Sequence, residues 1–224
     1  MKRSVYSLFF AVSLLLILCV FPANAEEISP TQSGPTESIQ SPTPGPTTLA
    51  VTLFLHGIGK AGDSVNQTPS GTDAPIHTSR HVTVTLYDAH KNLIATQAGT
   101  VVYDSASGSF QGSVVFDKDC PSGTYSIEVN TDRYLKQFIS DPQTITAGTT
   151  TQLAPVNLVA GDANNDEYLD IVDYSIVIGC FSELMPATSC NDTTKALGDF
   201  NDDGVVNQFD YNLFLRELTK QAGR

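Results

Sequence analysis

The chain has 224 residues, with 24 acidic side chains against 12 basic ones and a formal net charge of −12. This balance argues against nucleic acid as a partner, because phosphates require Lys and Arg for neutralisation. It argues equally against an anionic membrane surface as a partner.

Residues 1–25 predict a secretory signal peptide. Lys2 and Arg3 precede an apolar run over residues 8–21, and small residues close the segment before Glu26, which is the order found in such signals. We expect cleavage before Glu26 and a secreted, extracellular protein that is not inserted in a membrane. A lipid anchor on Cys19 is the less favoured alternative, because the residue before this cysteine is not small. After cleavage the chain holds 10 basic and 24 acidic residues, a formal charge of −14.

Residues 26–48 predict a linker. Of the 20 positions from 29 to 48, 14 are Ser, Thr or Pro. This composition cannot bury enough apolar surface to offset the loss of chain entropy, and its prolines favour extended conformations. We therefore expect a spacer here.

Residues 49–160 predict an all-β antiparallel sandwich. Apolar and polar residues alternate over 82–87, 110–116 and 125–129, with turn-forming residues between these runs. Short alternating strands between regular turns are typical of this architecture. The stretch from Pro121 to Val129, followed by Tyr134, resembles a strand-turn segment of carboxypeptidase-regulatory-like, prealbumin-type sandwiches. That resemblance implies an immunoglobulin-like or prealbumin-like fold.

An internal repeat begins at Gly161. Residues 161–179 align without gaps on residues 198–216, at an offset of 37, and residues 161–224 hold 12 of the 24 acidic side chains. The identical pairs are Gly161/Gly198, Asp162/Asp199, Asn164/Asn201, Asp166/Asp203, Asp173/Asp210 and Tyr174/Tyr211. Two copies indicate one supersecondary unit used twice, because a solenoid requires at least about three repeats.

Each copy has the ligand spacing of a twelve-residue calcium loop. With Asp162 and Asp199 as position 1, Asp or Asn occupies positions 1, 3, 5, 9 and 12 in both copies. In such a loop alternate side chains converge on one ion, and position 7 supplies its backbone carbonyl. The predicted ligands of two calcium ions are Asp162, Asn164, Asp166, Tyr168, Asp170 and Asp173 in the first loop, and Asp199, Asn201, Asp203, Val205, Asn207 and Asp210 in the second. A merely solvated acidic face is the alternative.

Two features depart from the usual loop. Position 12 is Asp in both copies, not the longer bidentate Glu. Position 6, where a sharp turn favours Gly, is Gly204 in the second loop but Glu167 in the first. A left-handed conformation at Glu167 would cost about 1–2 kcal/mol. We therefore predict that the first site binds calcium more weakly than the second.

An apolar helix is predicted after each loop, and no matching helix is predicted before either. A duplicated loop with only its following helix resembles the type I dockerin domain, and the resemblance covers residues 161–220. It implies a small all-α domain in which two calcium-bound loops pack about a pseudo-twofold axis and dock a cohesin module on a scaffold protein. Because the carboxylates of each loop repel one another, we expect the metal-free domain to be largely disordered.

The same resemblance implies where the partner binds. In dockerins, loop positions 10 and 11 tend to set partner choice, and here these are Ile171 and Val172 in the first copy and Gln208 and Phe209 in the second. The hydroxyl pair common in cellulosomal dockerins is absent, and the alternative that Ile171 and Phe209 are core residues stays open.

The cysteines predict one disulfide bond. Export places Cys120, Cys180 and Cys190 in an oxidising compartment, where disulfides persist. Cys180 and Cys190 close a short loop and are predicted to pair, which leaves Cys120 either buried or free.

Together these features predict a secreted, non-enzymatic adaptor, by resemblance part of a polysaccharide-degrading or cell-surface assembly. One alternative is a carbohydrate-binding sandwich tethered by the dockerin, although the chain has no Trp to build a sugar platform. Another is a dockerin that only stabilises the sandwich within the same chain. His77, His81 and His90 show no carboxylate partner in the sequence and are predicted to be solvated surface residues.

Overall fold

The computed structural model describes residues 45–59, 71–117, 120–182 and 190–221. The predicted signal peptide and nearly all of the predicted linker lie outside these ranges. Ten strands are present: β1 (Thr47–Leu55), β2 (Ser79–Tyr87), β3 (Leu93–Asp104), β4 (Ser109–Phe116), β5 (Gly123–Asn130), β6 (Arg133–Leu135), β7 (Gln137–Phe138), β8 (Gln143–Ile145), β9 (Thr150–Gln152) and β10 (Val156–Asp162). Three helices follow: α1 (Ile171–Gly179), α2 (Asp192–Gly198) and α3 (Gln208–Gln221).

The strands form one large sheet in the order β6-β10-β1-β4-β3-β2-β5-β7, with β8 on β5 and β9 on β1. The first and last strands of this order are separated in the chain by Lys136 alone, so the sheet curls towards a barrel. The region is mostly β, as predicted, and its kinship with prealbumin-like sandwiches remains a proposal.

One expectation about the sheet is wrong. The pattern predicted antiparallel pairing throughout, but β1 pairs in parallel with both β10 and β9. Alternation of apolar and polar residues records which face of a strand is buried, and it carries no information about the direction of the neighbouring strand. Parallel pairing of the first strand with the last two was therefore invisible in the sequence.

The alternating residues build the core as predicted. On β1 every second side chain is buried, from Thr47 to Leu55, and Val82, Val84 and Leu86 are buried on β2. We refer to residues 45–160 as the β region and to residues 161–221 as the C-terminal region. Their apolar side chains form one continuous core, in which Leu158 and Phe214 are both fully buried.

Strand β10 carries the sheet directly into the first loop. It runs to Asp162, past the predicted boundary at 160, and Asp162 pairs with Arg133 of β6 across a bulge. Position 1 of the first loop is therefore also the last residue of a sheet strand.

Helices α1 and α3 follow the loops as predicted, but α2 was not expected. Asn191 caps α2 by accepting a hydrogen bond from the amide of Thr194 at 2.8 Å. The helix has seven residues, too few to show a helical apolar period in the sequence.

A disulfide bond joins Cys180 at the end of α1 to Cys190 just before α2, with 4.9 Å between the Cα atoms. Cys120 is buried and its thiol is free. Within the described ranges, no helix is both long and apolar enough to cross a bilayer.

Candidate calcium-binding site

The two loops, residues 162–173 and 199–210, share one pattern of hydrogen bonds. At position 1, Asp162 accepts from the amides of positions 5 and 6 at 2.9 Å each, and Asp199 accepts from the same positions at 3.1 and 2.8 Å. At position 3, Asn164 and Asn201 each accept from the position 5 amide and donate to its carboxylate. The side chains of positions 1, 3 and 5 thus meet on one side of each loop.

Position 12 closes each loop. Asp173 and Asp210 are fully buried, and each accepts from the amide of position 3, at 3.3 and 3.2 Å, and from the amide of position 9, at 3.0 Å. Both residues lie in the first turn of the helix that follows the loop. The helix therefore fixes the carboxylate that completes the loop.

The side chain at position 9 also caps the helix that follows each loop. The side chains of Asp170 and Asn207 accept from the amide two residues later, both at 2.7 Å, at the start of α1 and α3. A carboxylate or amide engaged in this capping bond suits a position that often binds calcium through water. At position 7, the side chains of Tyr168 and Val205 are exposed, so only their backbone can serve the site.

Two positions of each loop have left-handed backbone. Position 4 has φ of 58° at Asn165 and 60° at Asp202, and position 6 has φ of 71° at Glu167 and 88° at Gly204. Glu167 therefore has the left-handed conformation that would strain a residue with a Cβ atom, whereas Gly204 adopts it without that penalty.

Burial disfavours the ionised form of four loop carboxylates and so raises their pKa values. Burial raises the pKa of Asp162 to about 6 and that of Asp210 to about 7, although hydrogen bonds from loop amides oppose the shift. Burial also raises the pKa of Asp173 and of Asp199. Neighbouring carboxylates add to these shifts, which is the electrostatic situation that a bound cation relieves.

The donor set fits calcium, which prefers six to eight oxygen ligands from carboxylates, amide carbonyls and backbone carbonyls. In the described ranges, however, no group of three or more His, Cys, Asp or Glu side chains is gathered closely enough to hold an ion. Several carboxylate oxygens instead receive amide hydrogen bonds from their own loop, as described above. Calcium binding by these residues therefore remains a proposal.

Position 4 of the second loop binds the β region, which the sequence did not predict. Asp202 is fully buried and accepts from the amide of His77 at 2.9 Å. His77 Nδ1 lies 2.6 Å from its Oδ1, and Arg80 Nη2 lies 3.2 Å from its Oδ2. His77 lies on the surface as predicted, with its side chain 56% exposed. It nevertheless has a carboxylate partner that the sequence did not show, because that partner is 125 residues away in the chain. The sequence offered one sign of this contact, which is that Asp202 is acidic although position 4 is not a predicted calcium ligand.

Arg133 of β6 touches both loops. Its amide donates to Asn165 Oδ1 at 2.7 Å, at position 4 of the first loop. Its guanidinium Nη1 donates to the carbonyls of Asp199, at 2.7 Å, and of Ala196, at 2.6 Å. Lys136, just beyond β6, forms an ion pair with Glu167 of the first loop.

Further contacts join the end of β1 to α3. His56 Nδ1 lies 3.2 Å from Oε1 of Glu217, which is fully buried. Gly57 has φ of 91°, and a Cβ on it would lie 2.5 Å from Leu213 Cδ2.

Tyr134 of β6 makes a further contact. Its Oη lies 3.2 Å from the His56 carbonyl oxygen and 3.3 Å from the Phe200 carbonyl oxygen. The contact between the two regions is therefore close-packed as well as polar.

The residues predicted to bind a partner lie mostly on the surface. Ile171 is 70% exposed and Val172 is 48% exposed, and Gln208 is also exposed, whereas Phe209 is half-buried. The alternative that Ile171 is a core residue is wrong. The rings of the equivalent residues Tyr174 and Tyr211 lie 6.2 Å apart, so the two copies meet through matching positions.

Comparison with known proteins identifies the C-terminal region. Residues 160–219 match the dockerin type I domain, which the repeat had predicted for residues 161–220. The match supports a type I dockerin domain in this part of the chain. No curated protein matches the chain.

Two crystal structures resemble the chain, an N-terminal and a C-terminal interface mutant of a type II cohesin-X-dockerin complex from Acetivibrio cellulolyticus. Each is 20% identical and covers 76% of this chain and 94% of its own, with TM-scores of 0.46 and 0.47.

Proposed function

We propose that the chain is a secreted, non-catalytic adaptor whose dockerin region binds two calcium ions and docks a cohesin-like partner. The observation that carries the proposal is the repetition of eight loop hydrogen bonds, at equal positions, in two loops of a type I dockerin domain. The resemblance to dockerins suggests a polysaccharide-degrading or cell-surface assembly as its setting.

Calcium would neutralise the carboxylates that burial and mutual repulsion now hold at raised pKa. Positions 1, 3, 5 and 12 supply side-chain oxygens, and position 7 supplies a carbonyl, in the arrangement described above. An ion that binds only the folded loops stabilises them by mass action. The ordered helices then present a fixed surface to the partner.

We place the docking surface on the first copy. Tyr168, Ile171, Val172 and Ile178 are all exposed and apolar, and they lie on the first loop and on α1. At the same offsets the second copy has Val205, Gln208, Phe209 and Leu215, of which Gln208 is polar and Phe209 is half-buried. Burial of exposed apolar area drives association, so the first copy offers the better docking surface.

The internal repeat supplies a matched pair of variants. Ile171→Asp and Gln208→Asp place the same charge at the same loop position in the two copies. We would titrate the wild type and both variants with purified type I and type II cohesin modules, in calcium and in chelator. We expect calcium-dependent binding that Ile171→Asp weakens by about tenfold or more, and that Gln208→Asp changes little. Equal weakening by both variants would rule out the first copy as the sole surface.

A second candidate function is stabilisation of the β region within the same chain. The contacts of Arg133 with both loops, and of Lys136 with the first loop, favour it, because they give the loops a partner in the same chain. If no cohesin module binds while calcium raises the melting temperature of the whole chain, this candidate replaces docking. If calcium binds at neither loop, both candidates fail.

A further inference from the structure

We propose that Arg133 of the β region is a positioning residue for the second calcium loop. This inference rests on the proposed calcium binding. It adds that the affinity of the second loop depends on its contact with a residue outside the dockerin region.

The guanidinium of Arg133 fixes the backbone where the second loop begins. It donates from Nη1 to the carbonyl of Asp199, whose side chain is the predicted ligand at position 1. The same nitrogen donates to the carbonyl of Ala196 in α2, so it ties the loop start to the preceding helix. Nη2 lies 3.7 Å from Asp202 Oδ1, at position 4.

Arg133 is itself held firmly. It is buried, it pairs with Asp162 across the β6–β10 ladder, and its amide donates to Asn165. Its backbone has φ of 71°, an unusual conformation for a residue with a side chain. The sheet thereby sets the direction in which the guanidinium approaches the loop.

The β region contacts the second loop through groups that are not predicted ligands. Arg133 donates to the backbone carbonyl of Asp199, and Arg80 lies against the carboxylate of Asp202. The predicted ligand side chains at positions 1, 3, 5 and 12 instead accept hydrogen bonds from amides of the loop itself. A loop that is already ordered before binding loses less conformational freedom on binding, so its affinity rises. Linkage then requires calcium to strengthen the same contact with the β region.

The test isolates each loop in the full-length chain. In an Asp173→Ala background, which disables the first loop, we would measure calcium affinity by calorimetry with and without Arg133→Met. We expect Arg133→Met to weaken the second loop by about tenfold, because hydrogen bonds from a charged donor are lost. In an Asp210→Ala background, the same substitution should leave the first loop unchanged, because Asn165 is bound by a backbone amide that Met retains.

Lys136→Met is the matched control, since Lys136 contacts the first loop only and lies three residues away. It should leave the second loop unchanged. Equal affinities of the Asp173→Ala chain with and without Arg133→Met would overturn the inference.

Should Arg133→Met not fold, Arg133→Lys keeps a cation beside Asp202 but removes the guanidinium Nη1 that donates to the carbonyls of Asp199 and Ala196. An unchanged second-loop affinity in Arg133→Lys would likewise overturn the inference. If the Asp173→Ala chain itself binds no calcium, the proposed calcium function fails first, and this is seen without any change at Arg133.

Discussion

Asn165 and Asp202 occupy the same position in the two loops, share a left-handed backbone, and both bind the β region. Asn165 accepts from the Arg133 amide at 2.7 Å, and Asp202 accepts from the His77 amide at 2.9 Å. Position 4 is not a predicted calcium ligand, so it is free to make this contact. Both copies therefore keep the predicted ligand positions and use position 4, which is not a predicted ligand, for contact with the β region.

Removal of the Asp202 charge should destabilise the chain. Asp202→Asn removes the carboxylate that pairs with the buried Arg80 and Arg133, and loss of one partner of a buried ion pair costs about 3–5 kcal/mol. We expect a decrease of this size in the free energy of unfolding, measured with urea in saturating calcium. Asp141→Asn, at an exposed site, should change it by less than about 0.5 kcal/mol. Similar effects of both variants would contradict the role of Asp202.

The first loop should bind calcium more weakly than the second, and Glu167 should be the cause. Glu167→Gly removes the Cβ penalty at φ of 71°, about 1–2 kcal/mol, so we expect about fivefold tighter binding or more at the first loop. Glu167→Gln is the control, because it also weakens the ion pair with Lys136 but keeps the strained Cβ. Calorimetry in an Asp210→Ala background measures both. Equal affinities for the Gly and Gln variants would show that the backbone conformation is not the cause.

The metal-free chain should lose stability as the pH rises. The folded-state pKa values of about 6 for Asp162 and about 7 for Asp210 lie above the ordinary value of 3.8. Between these values the folded state binds more protons than the unfolded state, so its stability is greatest at low pH and falls as pH rises through the folded pKa values. Thermal melts in chelator should therefore give a higher melting temperature at pH 5 than at pH 8, and the reverse order would contradict the raised pKa values.

Calcium should invert this dependence. Protons compete with calcium for the same carboxylates, so affinity should fall as the pH drops below about 7 and then below about 6. With calcium present, the higher melting temperature is expected at pH 8. The comparison requires only the wild-type chain and a calcium titration at each pH.

The disulfide between Cys180 and Cys190 should stabilise the connection between the copies. The bond closes a loop with a sequence separation of 10, which constrains the unfolded chain by about 2–3 kcal/mol. The double variant Cys180→Ser and Cys190→Ser should lose about that much free energy of unfolding and still bind calcium. Addition of reductant should lower the stability of the wild type to that of the variant and leave the variant unchanged.

The sequence predicted those strands, loops and helices whose pattern lies within a short stretch of the chain. Alternation located the buried faces of β2, β4 and β5, and the offset of 37 between the copies located both loops and the helices after them. Helix α2 was missed because seven residues give too short a pattern. The parallel pairing of β1 with β10 was missed because the residues of these two strands, at opposite ends of the β region, carry no mark of their mutual direction.

The sequence by itself determined the spacing of the predicted oxygen ligands, because a twelve-residue loop places its own residues and needs no distant partner. Only the tertiary structure decided which loop positions face the sheet and which remain exposed. His77, Arg80 and Arg133 come from strands and turns far from Asp202 in the chain, and only folding of the sheet brings their nitrogen atoms to one buried carboxylate. The exposure of Ile171 also follows only from the tertiary structure, because an apolar residue at loop position 10 suits a core as well as a docking surface.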